Sequence, residues 1–290
     1  MDFSVVIATK DRARYLERAL ATLQTQRDAP AFEVIVVDNG SSDATAGVVE
    51  RFAHGYAPVR YLTAPEPNRG KARNRGVEVA VGRYLLFCDD DVALPERWIA
   101  AHAGAQDGGE RVVNGPILNV ASYEDRPMPK AANYSRAFLC TCNASLSRVA
   151  FARAGGFDES FDLYGWEDTE LGVRLRVAGL RWKFAWDAYL WHVKPAAENT
   201  LAVESRKAIE KARMARRFLD KHPSRRARLA TGAHPFNLLR ARYLLPDWLL
   251  AIYAGMATSG RVPPWLNAIV RAQFLDAIYT RELTRALDER

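Results

Sequence analysis

Three cysteines in 290 residues, Cys88, Cys140 and Cys142, carry no spacing of a metal site. Their odd count, with Cys88 in a strand that reads as buried, points to a reducing compartment. No apolar run reaches the ~20 residues that cross a bilayer. The longest, from Trp248 to Ala257, follows Pro246 and Asp247. Met1-Asp2 leads directly into the first apolar run, so no leader peptide is expected and the expected location is cytoplasmic. Internal repeats and low-complexity segments are absent. The first turn, Thr9-Lys10-Asp11-Arg12, lacks Gly-x-Gly-x-x-Gly, which excludes a dinucleotide fingerprint. Glycine is absent from Thr9 to Arg14, which argues against the Gly-rich basic loop of a nucleotidyltransferase.

What is present supports a core. Hydrophobic residues make up 49% of the chain, so global disorder is excluded. The net charge of +7 is uneven. Residues 201–245 hold twelve Lys or Arg against three acids, a local excess of nine, and leave the remainder slightly acidic. Basicity is a property of that one segment, which needs its own explanation.

The pattern is α/β. Phe3–Ala8, Glu33–Val37, Val59–Leu62 and Arg83–Cys88 read as strands, the longer of them apolar on both faces. Helical stretches at Arg14–Gln26, Asp43–His54, after Asn68 and at Pro95–Ala103 alternate with them. Such alternation means a mostly parallel sheet with right-handed crossovers. Ser42 or Asp43 is placed to cap the helix after the second strand. Val112–Asn119 reads as one strand bent at Gly115-Pro116, and 120–137 as a Pro-rich loop that could cover a site. Leu139–Ser147 reads as another strand, with Ser147 capping a helix to Ala154. A further helix opens at Gly165-Trp166-Glu167-Asp168. Helices are expected at Thr200–His222, Leu238–Met256 and Trp265–Leu287.

The fourth strand, Tyr84-Leu85-Leu86-Phe87-Cys88, stops in Asp89-Asp90-Asp91. Three adjacent charges do not fit a strand interior, so they belong at its C-terminal end, where open α/β sheets bind ligands. Mutual repulsion favours a divalent cation there, Mg²⁺ or Mn²⁺, which prefers carboxylate oxygen and arrives with phosphates. Alternation lets Asp89 and Asp91 share a target while Asp90 faces elsewhere. The plainer alternative is a solvated turn capping the next helix. Asp38, at the end of the second strand, is placed as a nucleoside-binding acid would be.

Phe3–Tyr15, Val34–Asp43, Gly70-Lys71-Ala72-Arg73-Asn74-Arg75-Gly76 and Leu86–Asp91 together resemble family-2 glycosyltransferases of the GT-A fold, in order and spacing as well as residue type. The resemblance covers roughly residues 1–195. It implies a GT-A-type domain over 1–198, with a nucleotide-sugar half to about 110 and an acceptor half from 111; the charge and helical pattern beyond it read as a basic helical extension over 199–290. It implies a UDP-, GDP- or dTDP-sugar donor against Thr9, Arg12, Asp38, Asn39, Lys71, Arg73, Asp89 and Asp90. Asp38 would meet the base. Asp89 and Asp91, with His192 late in the domain, would hold Mn²⁺ or Mg²⁺. Glu167-Asp168 resembles the acceptor-side element whose acid is general base. Asp168 is favoured over Glu167, and the other acid would orient the acceptor. An ordinary helix start also carries acids in its first turn. Trp166 is either a platform for a sugar face or a core tryptophan.

The expected reaction is metal-dependent, inverting transfer to a sugar or lipid-linked hydroxyl, in cell-surface polysaccharide or glycolipid synthesis. The alternatives are a nucleotidyltransferase or an inactive nucleotide-sugar or membrane-surface binding protein. For the basic tail, with Tyr243, Trp248, Leu249 and Tyr253 among its apolar residues, three readings remain: packing within the chain or on a second copy, attachment to an anionic inner membrane face, and nucleic-acid binding. No aromatic-interleaved nucleic-acid motif accompanies the charge, so no nucleic-acid partner is expected.

Overall fold

The structure, a computed structural model, describes residues 1–64, 66–195, 200–259 and 261–289. Strands β1 (Phe3–Thr9), β2 (Phe32–Asp38), β3 (Val59–Thr63) and β4 (Tyr84–Cys88) are parallel. Helices α1 (Ala13–Leu23), α2 (Thr45–Phe52) and α3 (Arg69–Val79) cross between them. Beyond β4 the sheet turns mixed. β8 (Asn143–Ser147) runs antiparallel to β4 and to β6 (Arg111–Asn114), and β9 (Arg181–Phe184) closes the far edge beside β6. The order is β3-β2-β1-β4-β8-β6-β9.

Period-2 alternation divides the core. Phe3, Val5, Ile7, Val34, Val36 and Leu86 pack on one face with α1 and with α4 (Trp98–Gln106). Val6, Ile35, Val37, Leu85 and Phe87 pack on the other with α5 (Arg148–Arg153) and α6 (Glu167–Val177). A Cβ at Gly76 would stand 2.7 Å from Val6 Cγ1, so the glycine lets α3 lie directly on β1.

Several expectations are corrected. The strand read over Val112–Asn119 is two strands in two sheets. At Gly115 an added Cβ would meet the Ala188 carbonyl oxygen at 1.7 Å, and this close approach separates β6 from β7 (Ile117–Val120). β7 joins a three-stranded sheet with β10 (Leu190–Val193) and the two-residue β5 (Val92–Ala93). The strand read from Leu139 begins only at Asn143. Asp43 does not cap α2 from the N-cap position. Its two oxygens accept from the N–H of Thr45 at 3.0 Å and of Ala13 at 2.9 Å, which ties α2 to the start of α1.

The chain divides into two compact units, Met1–Asp162 with Glu167–Pro195, and Leu163–Trp166 with Ala196–Arg290. The domain boundary read at 198/199 lies outside the described residues. The second unit contains α7 (Leu201–Lys221), α8 (Arg225–Thr231), α9 (Pro235–Tyr243), α10 (Asp247–Thr258) and α11 (Pro264–Asp288). The single helix read over Leu238–Met256 is two, because Pro246 cannot continue α9 and starts α10 instead.

Candidate functional site

The three aspartates part where β4 ends. Asp90 turns inward. Thr9 Oγ1 donates to it at 2.7 Å and Arg12 Nη1 stands 3.6 Å away. Burial pushes its carboxyl up to about 7, against the pull of Arg12. Asp91 lies 3.1 Å from Arg12 Nη2 and 2.9 Å from His192 Nε2. Burial opposes its charge, yet His192 and Arg12 hold its pKa below the ordinary carboxylate value. Its Oδ1 is buried and receives no aligned hydrogen bond, although His192 Nε2 is so near. An imidazole nitrogen and a carboxylate oxygen at this distance can share either a proton or a cation. Asp89 takes a third direction, toward Arg73 Nη2 at 3.3 Å.

His192 is aligned by backbone. β10 pairs with β5 so that His192 stands opposite Val92, and the N–H of Val193 donates to the Asp91 carbonyl at 2.8 Å. Two residues a hundred apart in sequence are thereby held as neighbours on one ladder. The strand carrying His192 is absent from the sequence reading, because four residues with two aromatics give too little alternation.

Arg73 crosses the site. Its side chain is 6% exposed, its guanidinium lies over the Phe157 ring at 5.7 Å, and it pairs with Asp89 and, at 3.5 Å, with Glu167 Oε1. Glu167 Oε2 is buried without a hydrogen-bond partner among the described residues. Asp168 is partly buried and accepts from the N–H groups of Thr169 and Thr141. Burial, then Glu167, push its carboxyl up to about 6, with Arg73 pulling the other way.

The residues expected on the nucleoside side lie at the ends of β1 and β2. Asp38 accepts from Tyr61 Oη at 2.5 Å and from the N–H of Ser41 at 2.7 Å, and Asn39 Oδ1 accepts from the N–H of Asn68. Burial and Asp38 push the Tyr61 phenol up to about 12. Tyr61 was not visible as a site residue in the sequence, because β3 offers a short strand with no motif. Lys71 departs from the set: its ammonium pairs with exposed Glu66, at the surface end of α3.

Of the two readings of Trp166, the packing matches the core tryptophan. Its backbone has φ 73°, rare for a bulky side chain, and its ring stacks on Phe218 at 5.0 Å. Its Nε1–H donates to the Lys211 carbonyl at 3.0 Å, and the residue is 9% exposed. The indole is packed, as the core-tryptophan reading has it. Cys142, whose spacing in the sequence marks no site, lies among these residues. Since Cys88 stands opposite Asn143 in the antiparallel register, Cys142 comes beside Asp89, and its Sγ lies 3.9 Å from His192 Nδ1. Only the strand pairing reveals this.

A family model described as glycosyl transferase family 2 matches residues 4–161. Validoxylamine A glucosyltransferase of Streptomyces hygroscopicus subsp. limoneus is 28% identical over 268 residues, covering 76% of this chain and 57% of that protein. The uncharacterized glycosyltransferase YfnE of Bacillus subtilis is 26% identical over 255 residues, covering 66% and 64%. The chain thus spans less than two thirds of the length of these relatives. Among solved structures, the mannosyltransferase PcManGT from Pyrobaculum calidifontis, in complex with GDP-Man and Mn²⁺, superposes with TM-score 0.64 at 20% identity, over 99% of this chain and 88% of that one. S. aureus TarS in complex with UDP-GlcNAc gives 0.59 at 19% identity, over 99% and 91%. At these identities the likeness establishes the GT-A fold.

Proposed function

The chain belongs to glycosyl transferase family 2, and from that membership we propose that it transfers a sugar from a nucleotide diphosphate sugar to a hydroxyl acceptor, with inversion. Arg73 supports this reading most. One buried guanidinium lies between Asp89, on the donor side, and Glu167, beside Asp168 on the acceptor side. A donor diphosphate and an acceptor hydroxyl would meet across it.

Asp38, Asn39 and Thr9 lie where the nucleoside would bind, with the Tyr61 ring next to Asp38. Asp91 and His192, 2.9 Å apart, offer a carboxylate and an imidazole that fit a divalent ion, and Asp89, the first acid of the same triplet, is the further carboxylate that would join them. When bound, Mn²⁺ or Mg²⁺ supplies Lewis-acid stabilisation of the departing diphosphate. Arg12, now paired with Asp90 and Asp91, and Arg73 add positive charge on the same side. Asp168 accepts the acceptor's hydroxyl proton as that oxygen attacks the anomeric carbon and the bond to the diphosphate breaks. A carboxyl near 6 is ionised at neutral pH and still more basic than an ordinary aspartate. A single displacement with one base inverts the anomeric centre.

UDP- and GDP-sugars, which the structural neighbours bind, are the first donors to try, with dTDP-sugars beside them. Incubated with each and with candidate hydroxyl acceptors, the chain should release nucleoside diphosphate in Mn²⁺ and stop in EDTA. No release from any donor, and no nucleotide-dependent rise in melting temperature, would end this reading.

A peripheral membrane role completes the proposal. Much of the tail's charge is spent inside its own unit. Arg213 pairs with Glu282, Arg240 with Asp276 and Arg242 with Asp288, while Arg216 bonds Asp220 and the Ala286 carbonyl. Arg225, Arg226 and Arg228 on α8 remain as candidates for an external anion. Large apolar side chains stay exposed nearby in sequence, with Phe236 at 70%, Tyr243 at 74% and Trp248 at 65%. No helix among the described residues is long and apolar enough to cross a membrane. Attachment to an anionic leaflet would combine about 1 kcal/mol per engaged arginine with insertion of the aromatic rings. Co-sedimentation with liposomes should rise with anionic lipid, fall with salt, and drop when Arg225, Arg226 and Arg228 become Ser. Absence of sedimentation at low salt, with a dimer in solution, would assign the apolar surface to a second copy instead.

A further inference from the structure

His192 presents two different faces. Its Nε2 meets Asp91 at 2.9 Å, an oxygen donor suited to hard cations. Its Nδ1 meets Cys142 Sγ at 3.9 Å. Sγ, a carboxylate oxygen of Asp89 and an imidazole nitrogen all lie within 4.8 Å of one another. Each of the three is fixed by a strand: Asp89 follows β4, Cys142 precedes β8, and His192 lies within β10. Cys142 and His192 are each 9% exposed.

One thiol, one imidazole and one carboxylate form a donor set for zinc rather than magnesium. Ligand atoms around a tetrahedral Zn²⁺ stand roughly 3.3–3.8 Å apart, given Zn–S of about 2.3 Å and Zn–N or Zn–O of about 2.0–2.2 Å. The spacings here need only small side-chain adjustments to meet that geometry. Once Nδ1 binds a metal, Nε2 carries the ring proton, and Asp91 is already placed to accept it. Carboxylates commonly orient ligating histidines in this way.

We propose that Asp89, Cys142 and His192 Nδ1 form a thiophilic metal face, taking Zn²⁺, on the same imidazole whose Nε2 faces the site for Mn²⁺ or Mg²⁺. Binding deprotonates the Cys142 thiol and releases that proton to solvent, with no change of oxidation state. Asp89 and the imidazole serve both faces, so the two occupancies compete. Zinc on the thiol side withdraws the histidine lone pair from Asp91 and shuts off transfer. That last consequence rests on the function proposed above, whereas the site itself does not.

Co²⁺ tests the site directly, because a thiolate ligand gives it a charge-transfer absorption in the near ultraviolet. Added to the metal-free full-length chain, Co²⁺ should produce that band, and one equivalent of Zn²⁺ should abolish it. Cys142→Ser should lack the band and bind Zn²⁺ more than about 100-fold more weakly, beyond the 10–100-fold usual for losing a group that merely orients a ligand. Cys140→Ser should keep both. A wild-type chain that shows no thiolate band, or a band undiminished in Cys142→Ser, overturns the proposal. So does Zn²⁺ binding by the acids alone, which would appear as heat without the band. The wild-type spectrum decides the matter even if Cys142→Ser folds poorly. No sugar donor is used, so these outcomes stand apart from any failure to detect glycosyl transfer.

Discussion

Asp91→Asn should reduce sugar transfer by about 10³-fold or more, since Lewis-acid stabilisation is worth several kcal/mol and each 1.4 kcal/mol is tenfold. The amide keeps the shape of the side chain and the backbone carbonyl that accepts from Val193, so β5 and β10 stay paired. What it removes is the charge on an oxygen that is buried beside His192 Nε2. Arg12 retains Asp90, which limits the damage to folding. Metal-dependent affinity for the nucleoside diphosphate should fall together with turnover, while affinity measured in EDTA should change little. Calorimetry with and without Mn²⁺ separates the two. Wild-type turnover of the variant at saturating Mn²⁺ would remove Asp91 from the metal set.

Asp168→Asn is the second large effect. General-base contributions run to about 10²–10⁴-fold, and a fall of that order in kcat is expected with donor affinity nearly unchanged. The pH profile gives an independent check. Burial and Glu167 raise the carboxyl to about 6, so wild-type kcat should decline as pH drops through that value and the base becomes protonated. The variant should lose this acid limb along with the rate. Stability runs the other way. A carboxyl whose folded pKa is raised contributes most below its unfolded pKa, and loses that contribution as pH rises through about 6. At pH 8 Asp168→Asn should therefore melt no lower than wild type. A variant that instead loses donor binding would move Asp168 to the nucleotide side, and a wild-type profile flat from pH 5 to 8 would leave the chain without a base at this position.

The sequence disclosed the parts governed by long apolar runs. β1, β2 and β4 are apolar on both faces, so their ends, Thr9, Asp38 and Asp89 to Asp91, could be located without coordinates. Tertiary pairing governed what was hidden. Cys142 comes beside Asp89 only when β8 is laid antiparallel to β4, and His192, named from the resemblance alone, is set against Asp91 only when a four-residue strand finds β5 and β7. Gly115-Pro116 looked like a bend because both flanks are apolar, yet the glycine's approach to Ala188 sends those flanks to different sheets. Trp166 sits in sequence beside two site acids, but its left-handed backbone turns the ring to Phe218. The charge of the tail was read correctly from composition, while its neutralisation by acids of α11 depends on helix packing that composition does not carry.

The small sheet of β5, β10 and β7 has a consequence for how such a chain can diversify. It fixes Asp91 and His192 by backbone ladders, and β7 anchors the point from which the 121–136 segment leaves. Closing a longer segment between fixed ends costs only about 0.6 kcal/mol per doubling of length. Insertions there can change the surface beside the candidate site, while Asp91 and His192 stay in register. Position and variation are in this sense separable, the one held by the ladder and the other tolerated by the loop.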